Sequence, residues 1–418
     1  MVSDQLRLAS FDGGGQRAFS QLIMMKRFMH QIRWKVYPNE PNRPMRPCDY
    51  FDLMAGSDTG GIIVILLVKL KLTVDEAISE FGTIIEEVYA KGIKPRERTE
   101  RLKACMERLL TKRNFPLDLA LENSRKSGHC LGFIMATASL HVSDKVRLRT
   151  YYAQSDPPSG INVIDAALAT CASPQEFLPV TVGTGYEKCV YTGAGVGVNN
   201  PVRQILDETE HIFRGEPISI LLSLGSGDPG VLALNSEKDD LGLYELMREM
   251  MIDCEREALE VRRQMGHFDY YFRFSVVQGM QKVDDRAEDL SWIAAQTNRY
   301  FKLKETVTDI SNCIQKMTCD MKTDIPEETD PIHPHIQGAA LVPVKEHSEL
   351  ASERGNNPEQ SYFRNPSRRL AIMDALSVAK LVSLSPGLLF GDQSPHGAQP
   401  APPASTKTWK ETLYARWF

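Results

Sequence analysis

The sequence predicts an α/β fold with a central, mostly parallel sheet. Between residue 5 and about residue 227, short strand-like runs alternate with helical patterns, which is the rhythm of β-α-β units. Two of the predicted strands end in glycine-rich turns that lead into helices. This order favours one α/β domain with its chemistry at the turns that follow the strands.

Each element is predicted from its own pattern. Strands are expected where short β-branched and apolar runs occur, at 6–11, 51–55, 146–152, 189–192 and 218–224. Helices are expected where apolar residues recur at helical spacing, at 19–36, 61–72, 239–264 and 284–317. Segment 61–72 is almost wholly apolar, so its helix should be buried on nearly all sides.

The chain divides by composition. We expect a core over 5–205 and a C-terminal part of the same domain over 206–318. Residues 319–418 hold 11 of the 24 prolines and form a Pro-rich extension. Within that extension, 319–366 and 385–406 have the composition of linkers, and 367–384 has a helical pattern.

Composition excludes several classes of protein. The chain has 418 residues, 42% of them hydrophobic, and a formal net charge of -5. The apolar fraction can fill a core, and the near-neutral charge argues against a nucleic-acid binder. The eight cysteines show no C-x-x-C pair and no histidine at zinc spacing, so we expect reduced thiols and neither metal nor cofactor.

The N-terminus and the hydropathy suggest a location. No basic region followed by an apolar stretch and a cleavage site occurs at the start, so we expect a cytoplasmic protein. The most apolar run, Gly60 to Val68, is far shorter than the roughly 18–20 residues that span a bilayer. Any membrane contact should therefore be peripheral.

The first motif is a glycine-rich turn, Asp12-Gly13-Gly14-Gly15-Gln16-Arg17, between a predicted strand and a predicted helix. Three glycines leave backbone N–H groups uncovered at a helix N-terminus, which makes a cradle for an anion. A dinucleotide-binding turn is an alternative, but that pattern is G-x-G-x-x-G with an acidic residue about 20 positions on, and here Ala18 stands at the last glycine place. A purely structural tight turn is another.

The second motif, Gly56-Ser57-Asp58-Thr59-Gly60-Gly61, lies in the strand-turn-helix context of the G-x-S-x-G nucleophile elbow. Gly56 and Gly60 take the glycine positions, where they let strand and helix pack closely. Asp58 stands in place of the nucleophilic serine. Ser57 is one residue earlier on the strand, so its side chain should point to a different side.

A third stretch, Tyr191 to Pro201, is a strand running into a glycine-rich loop that ends in Asn-Asn-Pro at the start of a helix. Together the three stretches resemble the patatin-like phospholipase family. That family combines a D-G-G-G-x-R oxyanion loop, a G-x-S-x-G elbow and a D-G-[GA] motif commonly followed by N-N-P. Residues 166–174 and 218–227 are similar to further family segments, and 269–279 looks like a stretch of its fungal-type members.

The resemblance covers roughly residues 5–315 and implies a three-layer α/β/α fold. It also implies a cofactor-free lipid acyl hydrolase with a Ser–Asp dyad and an oxyanion hole formed by Gly13, Gly14, Gly15 and Arg17. Carried over by position, Asp58 replaces the nucleophile and Thr192 replaces the dyad aspartate. A threonine hydroxyl cannot act as a general base at neutral pH, and a carboxylate is a poor acyl nucleophile. We therefore expect an impaired hydrolase, a pseudoenzyme that retains an acyl-lipid pocket, with an active lipid acyl hydrolase as the alternative.

Three hypotheses for Asp58 remain open. Its side chain caps the following helix, or its carboxylate folds into the anion cradle and imitates a bound fatty acid. In the third, it attacks alkyl carbon and needs a histidine base, for which His129 and His141 are the candidates.

Two segments suggest surface roles. Residues 91–113 carry nine Lys or Arg against three Glu, which indicates either a solvated helix face or a contact with anionic lipid headgroups. Near the C-terminus, Trp409, Leu413 and Trp417 would form an apolar stripe on a helix. This stripe could dock on the parent domain or contact a partner or a membrane.

Overall fold

The computed structural model describes residues 5–319, except 124–129, 154–155, 157–158, 229, 231–239, 266–268, 279 and 281–288. The predicted helix 367–384, nearly all of the predicted linkers, the C-terminal aromatic stripe and His129 lie outside the described residues.

An eight-stranded sheet runs through the described part of the chain, in the order β5-β6-β3-β2-β1-β7-β8, with β4 paired to β3. The strands are β1 Leu6–Phe11, β2 Leu53–Ser57, β3 Leu131–Ala138, β4 Lys145–Arg149, β5 Val180–Val182, β6 Cys189–Gly193, β7 Ile218–Leu224 and β8 Tyr271–Phe274. Every pairing among β3, β2, β1, β7 and β8 is parallel, and β4, β5 and β6 pair antiparallel. The prediction of a mostly parallel sheet is confirmed.

Ten α-helices belong to the described residues. They are α1 Phe19–Val36, α2 Thr59–Val64, α3 Val74–Val88, α4 Pro95–Lys112, α5 Val163–Cys171, α6 Val202–Phe213, α7 Asp240–Met251, α8 Cys254–Gln264, α9 Leu290–Tyr300 and α10 Lys304–Thr318. A short 3₁₀ turn, Gly15–Ala18, precedes α1, and α2 continues as a π-helix over Ile65–Lys69. All six residues of α2 are buried, as the apolar pattern predicts.

Helices cover both faces of the sheet. Alternate residues of β1 point to opposite sides, so Ala9 and Phe11 join the larger core while Leu6 and Leu8 join the smaller one. The larger core is completed mainly by α1 to α5 and α10, and the smaller one by α6 and α8. The result is the three-layer α/β/α arrangement that the resemblance implies.

Two predicted helices are each divided in two. Segment 239–264 breaks between α7 and α8, because the Asp253 side chain accepts hydrogen bonds from the N–H groups of Glu255 and Arg256 and so starts a new helix. Segment 284–317 breaks at residues 301–303, between α9 and α10, and Asp289 caps α9 in the same way.

The basic segment is largely neutralised by acidic neighbours. Arg108 pairs with Glu87 of α3, and Lys112 Nζ lies 2.8 Å from Glu80 Oε1. Arg113 and Arg101 also pair, with Glu76 and Glu97, at 2.7 Å each. Most basic side chains of the segment therefore have an acidic partner within the chain, and its two suggested surface roles stay predictions.

No helix among the described residues is long and apolar enough to cross a membrane. The same residues contain no group of three or more His, Cys, Asp or Glu side chains placed to hold a metal ion.

A buried ion pair joins β4 to α6. Glu208 is 2% exposed and accepts hydrogen bonds from Arg149 Nε and the Tyr151 hydroxyl, each at 2.5 Å. Although burial opposes ionisation, these hydrogen bonds hold the pKa of Glu208 below its usual value.

The substitution Glu208→Gln should lower the free energy of unfolding by about 3 kcal/mol, because it removes the buried counter-charge of Arg149 and leaves only the exposed Asp156 as its partner among the described residues. Urea unfolding at pH 7 measures this loss. The matched control is Glu210→Gln on the exposed side of α6, which should stay within about 0.5 kcal/mol of wild type. Equal effects of the two substitutions would contradict the assignment.

Candidate functional site: an occupied anion cradle

The site is built where β1 and β2 end side by side. These neighbouring strands are parallel and in register from Leu8 opposite Leu53 to Phe11 opposite Gly56. The turns that follow parallel strands lie at the same edge of a sheet. The glycine-rich turn and the elbow are therefore adjacent, although 44 residues separate Gly14 from Asp58.

The elbow turn is tight and strained. Asp58 has φ 51° and ψ −128°, a backbone conformation that few residues other than glycine adopt. A Cβ atom on Gly56 would lie 2.2 Å from the carbonyl oxygen of Gly60, and one on Gly60 would lie 2.4 Å from that of Phe11. Glycine is therefore required at both positions for β1, β2 and α2 to approach this closely.

The Asp58 carboxylate lies in the cradle formed by the glycine-rich turn. Its Oδ2 atom accepts hydrogen bonds from the backbone N–H groups of Gly14, at 3.1 Å, and Gly15, at 3.3 Å. The Thr59 hydroxyl lies 3.5 Å from the same oxygen. The donors that would bind an external anion are thus engaged by a side chain of the protein itself.

This geometry decides between the first two hypotheses for Asp58. As the residue preceding α2, it makes no side-chain capping hydrogen bond, so the capping hypothesis is wrong. Its main-chain carbonyl accepts from the Gly61 N–H at 2.8 Å, while its carboxylate turns toward the other loop. The contacts are those that the self-occupied cradle requires.

The cradle uses fewer donors than the sequence predicts. The Gly13 N–H donates to the carbonyl of Asn199 at 2.9 Å, so Gly13 is not an available donor. Its lack of a side chain serves another purpose, because a Cβ there would lie 2.1 Å from Asn199 Oδ1 and 2.9 Å from Asp58 Cβ. Gly13 permits the Asn-Asn-Pro loop and the elbow to meet.

Arg17 follows the cradle but is held by the chain. Its Nη1 atom donates to the carbonyl of Met280 at 3.2 Å, and its own carbonyl accepts from the Ser20 hydroxyl. Burial lowers the pKa of the Arg17 guanidinium. These contacts fix Arg17 beside the turn.

Ser57 is not an alternative nucleophile. It is fully buried, and its hydroxyl donates to the carbonyl of Val198 at 2.7 Å. The Asp58 side chain contacts Gly14 and Gly15 instead, so the two side chains point to different sides, as strand geometry predicts.

Thr192 lies at the end of β6, where the next residue, Gly193, donates to the carbonyl of Ala172 just after α5. The Thr192 hydroxyl donates to the carbonyl of Thr137 on the paired strand, at 3.4 Å. Among the described residues, no hydrogen bond joins Thr192 to Asp58. Thr192 is therefore not an acid or a base acting on Asp58.

The environment makes the Asp58 charge unfavourable. Burial and the neighbouring Glu176 carboxylate raise its pKa from 3.8 to about 6, and the N–H groups of Thr59, Gly14 and Gly15 only partly offset this. The Cys171 thiol and the Tyr89 hydroxyl, which has no hydrogen-bond partner within the described part of the chain, also belong to this environment. Near neutral pH the carboxylate is mostly ionised but close to its titration.

A buried ionic cluster that the sequence did not reveal supports the glycine-rich turn. Arg273 of β8 is 2.6 Å from the carboxylate of Asp12 and 2.6 Å from that of Glu255. Burial raises the pKa of Asp12 to about 6 despite Arg273, and the same arginine lowers the pKa of Glu255 against the effect of burial. Asp12, the residue before the glycines, is thus anchored to β8, the last strand in the sheet order. Asp12 stands in the first motif and Arg273 in the 269–279 stretch, but their separation in sequence hides the contact.

Comparisons with known proteins agree with this architecture. Residues 9–206 match the model of the family described as patatin-like phospholipase, which covers the cradle, the elbow and the Asn-Asn-Pro loop. The chain is also 25% identical over 245 residues to "Probable inactive patatin-like protein 9" of Arabidopsis thaliana. That alignment covers 54% of this chain and 61% of the plant protein.

The substitution Asp58→Asn should stabilise the protein at pH 7.5 by roughly 1–2 kcal/mol, after allowance for solvent screening. Since the pKa of Asp58 is raised from 3.8 to about 6, the folded state retains the proton more tightly than the unfolded chain. Wild type consequently loses stability as the pH rises from 3.8 to about 6.

Thermal or urea unfolding of both proteins at pH 4 and pH 7.5 tests this, and the advantage of the variant should nearly vanish at pH 4. The comparison uses the difference between the two proteins because Asp12 titrates in the same range. A variant that is less stable than wild type at pH 7.5 would refute it.

Proposed function

We propose, from the patatin-like domain at residues 9–206, that this protein binds an acyl lipid without hydrolysing it. The observation that carries the proposal is the pair of hydrogen bonds from Gly14 and Gly15 to the Asp58 carboxylate. A fold that elsewhere supports ester hydrolysis here has its anion cradle filled by a negative charge of its own.

Each requirement of ester hydrolysis is affected. Attack on an ester carbonyl needs an activated nucleophile, a base and free N–H donors for the developing oxyanion. Asp58 would form a high-energy anhydride, Thr192 is bonded to a main-chain carbonyl, and the donors are occupied. Loss of comparable groups in serine hydrolases costs factors of about 10⁴ to 10⁶.

The charge of Asp58 also limits the class of ligand. A free fatty acid would bring a second carboxylate to a cradle that already holds one, and like charges in a buried site repel strongly. An uncharged acyl ester meets no such repulsion. The ligand that fits best is therefore a neutral acyl lipid group.

The hypothesis of attack on alkyl carbon has no support among the described residues. It requires a histidine base near Asp58 to hydrolyse the resulting ester. His141 lies in the exposed turn between β3 and β4, where its main-chain N–H donates to the carbonyl of Ala138.

Wild type should hydrolyse medium-chain and phospholipid esters no faster than the Asp58→Asn control. The double substitution Asp58→Ser, Thr192→Asp restores a hydroxyl and a carboxylate and should raise kcat/KM at least about 100-fold above that background. Product release from defined esters measures both. Wild-type hydrolysis that Asp58→Asn abolishes would overturn the proposal in favour of an active hydrolase.

Decanoate should bind Asp58→Ser about 10- to 100-fold more tightly than wild type at pH 8, because the substitution frees the two N–H donors and removes the repulsion. Isothermal titration measures the affinities. The gap should narrow at pH 5.5, below the pKa of about 6 at Asp58.

Ser57→Ala is the matched control for decanoate binding. Its hydroxyl is on the other side of the chain, so decanoate affinity should stay at the wild-type value. If Asp58→Ser binds decanoate no better than wild type, the cradle is not an anion site.

A further inference from the structure

Helix α7 presents its apolar side to solvent. Five large side chains of this helix are 41–51% exposed: Leu243, Tyr244, Met247, Met250 and Met251. None of its described side chains is buried. At 100° per residue these five positions fall within a sector of roughly 120°. A surface helix normally turns such a face toward the core.

The helix adjoins the cradle. Arg248 Nη2 lies 2.8 Å from Glu176 Oε1, and Glu176 is the carboxylate that acts on Asp58. The carbonyl of Met251 accepts from the Gly197 N–H at 3.2 Å, in the loop that leads to Asn199. The exposed face thus stands next to the candidate ligand site.

The size of the face argues against a second copy of the chain as its partner. Five side chains, each about half exposed, offer a few hundred Å² of apolar area. A stable dimer buries roughly 800 Å² on each partner. A lipid surface has no such threshold, since each inserted apolar side chain contributes separately.

The charges around the face argue against an anionic surface. Arg248 is already paired with Glu176, and Arg98 of α4 stacks on the rings of Tyr89 and Phe177. Four further basic side chains, Arg101, Arg108, Lys112 and Arg113, pair with carboxylates of α3 and α4. What remains is an uncharged, methionine-rich stripe, and methionine adapts readily to irregular apolar surroundings. This composition is complementary to acyl chains beneath zwitterionic headgroups.

We propose that the face formed by Leu243, Tyr244, Met247, Met250 and Met251 inserts into a zwitterionic lipid surface and places the candidate site against it. The proposal deepens the lipid-binding function proposed above and rests on it for the nature of the partner.

The test is co-sedimentation of the full chain with phosphatidylcholine vesicles. Wild type should partition onto them equally at 0.05 and 0.5 M NaCl, since no ionic contact contributes. Met247→Glu and Met250→Glu should each reduce the partition constant about tenfold. The matched controls are Val307→Glu on α10, where Val307 is 48% exposed, and Trp34→Glu on α1, and neither should change it.

A second variant tests the same face by a signal that appears on binding, so it does not depend on a loss of vesicle binding. In Met247→Trp, which retains an apolar side chain, the emission of the added tryptophan, measured as the difference from wild type, should shift to the blue when vesicles are added. The inference is overturned if wild type fails to bind, if the controls lose as much as the α7 variants, or if binding requires anionic lipid and low salt. Self-association that Met247→Glu abolishes, without vesicle binding, would also overturn it.

These results separate from those of the proposed function. Loss of vesicle binding with the decanoate and ester results intact removes only the role of α7. If wild type bound vesicles and also hydrolysed esters, the proposal of binding without hydrolysis would be wrong and the proposal for the α7 face would stand.

Discussion

The parallel register of β1 and β2 is the constraint on which the site depends. Because Phe11 pairs with Gly56, the two turns that follow must emerge together at one edge of the sheet. Glycine at positions 13, 56 and 60 then lets the loops approach to distances that any side chain would prevent. Within this arrangement the Asp58 carboxylate reaches the N–H groups of Gly14 and Gly15.

The contact of the Asp58 carboxylate with the Gly14 and Gly15 N–H groups forms at a cost in free energy. Burial raises the pKa of Asp58 to about 6, so the fold accepts the charge less readily than water does. The backbone strain at φ 51° adds a further cost of order 1–3 kcal/mol. Neither cost is offset by a helix cap, and hydrogen bonds from the N–H groups of Thr59, Gly14 and Gly15 compensate only part of the cost of the charge. Charge and strain concentrated at one turn are typical of a site with a function.

Much of the fold follows from the sequence, because period and turn chemistry are local. The strand 6–11 and the helix 19–36 are predicted with the bounds that the structure has. β3 was not predicted, since Leu131–Ala138 is a continuous apolar run whose period does not distinguish a buried strand from a buried helix. The division of 239–264 was missed because both halves keep helical spacing on either side of Asp253.

The site was predicted in its positions but not in its contacts. Local motifs identify the cradle and the elbow, and the substitution at Asp58 is visible in the sequence itself. Two contacts join residues that are more than 180 positions apart in the sequence. The Asn199 carbonyl accepts from the Gly13 N–H, and Arg273 pairs with Asp12. Such contacts leave no periodic signal, because they arise only when distant strands are placed in one sheet.

One consequence of these contacts links the surface to the cradle. Arg248 of α7 holds Glu176, and Glu176 raises the pKa of Asp58. If α7 moved away from Glu176, the uncompensated carboxylate would raise the pKa of Asp58 further and favour its neutral form. A neutral carboxyl accepts hydrogen bonds more weakly than a carboxylate, so its hold on the Gly14 and Gly15 N–H groups would loosen. Linkage requires the reverse as well. A ligand that displaced Asp58 from the cradle would reduce the repulsion between Asp58 and Glu176, and the Arg248–Glu176 ion pair would then be easier to break.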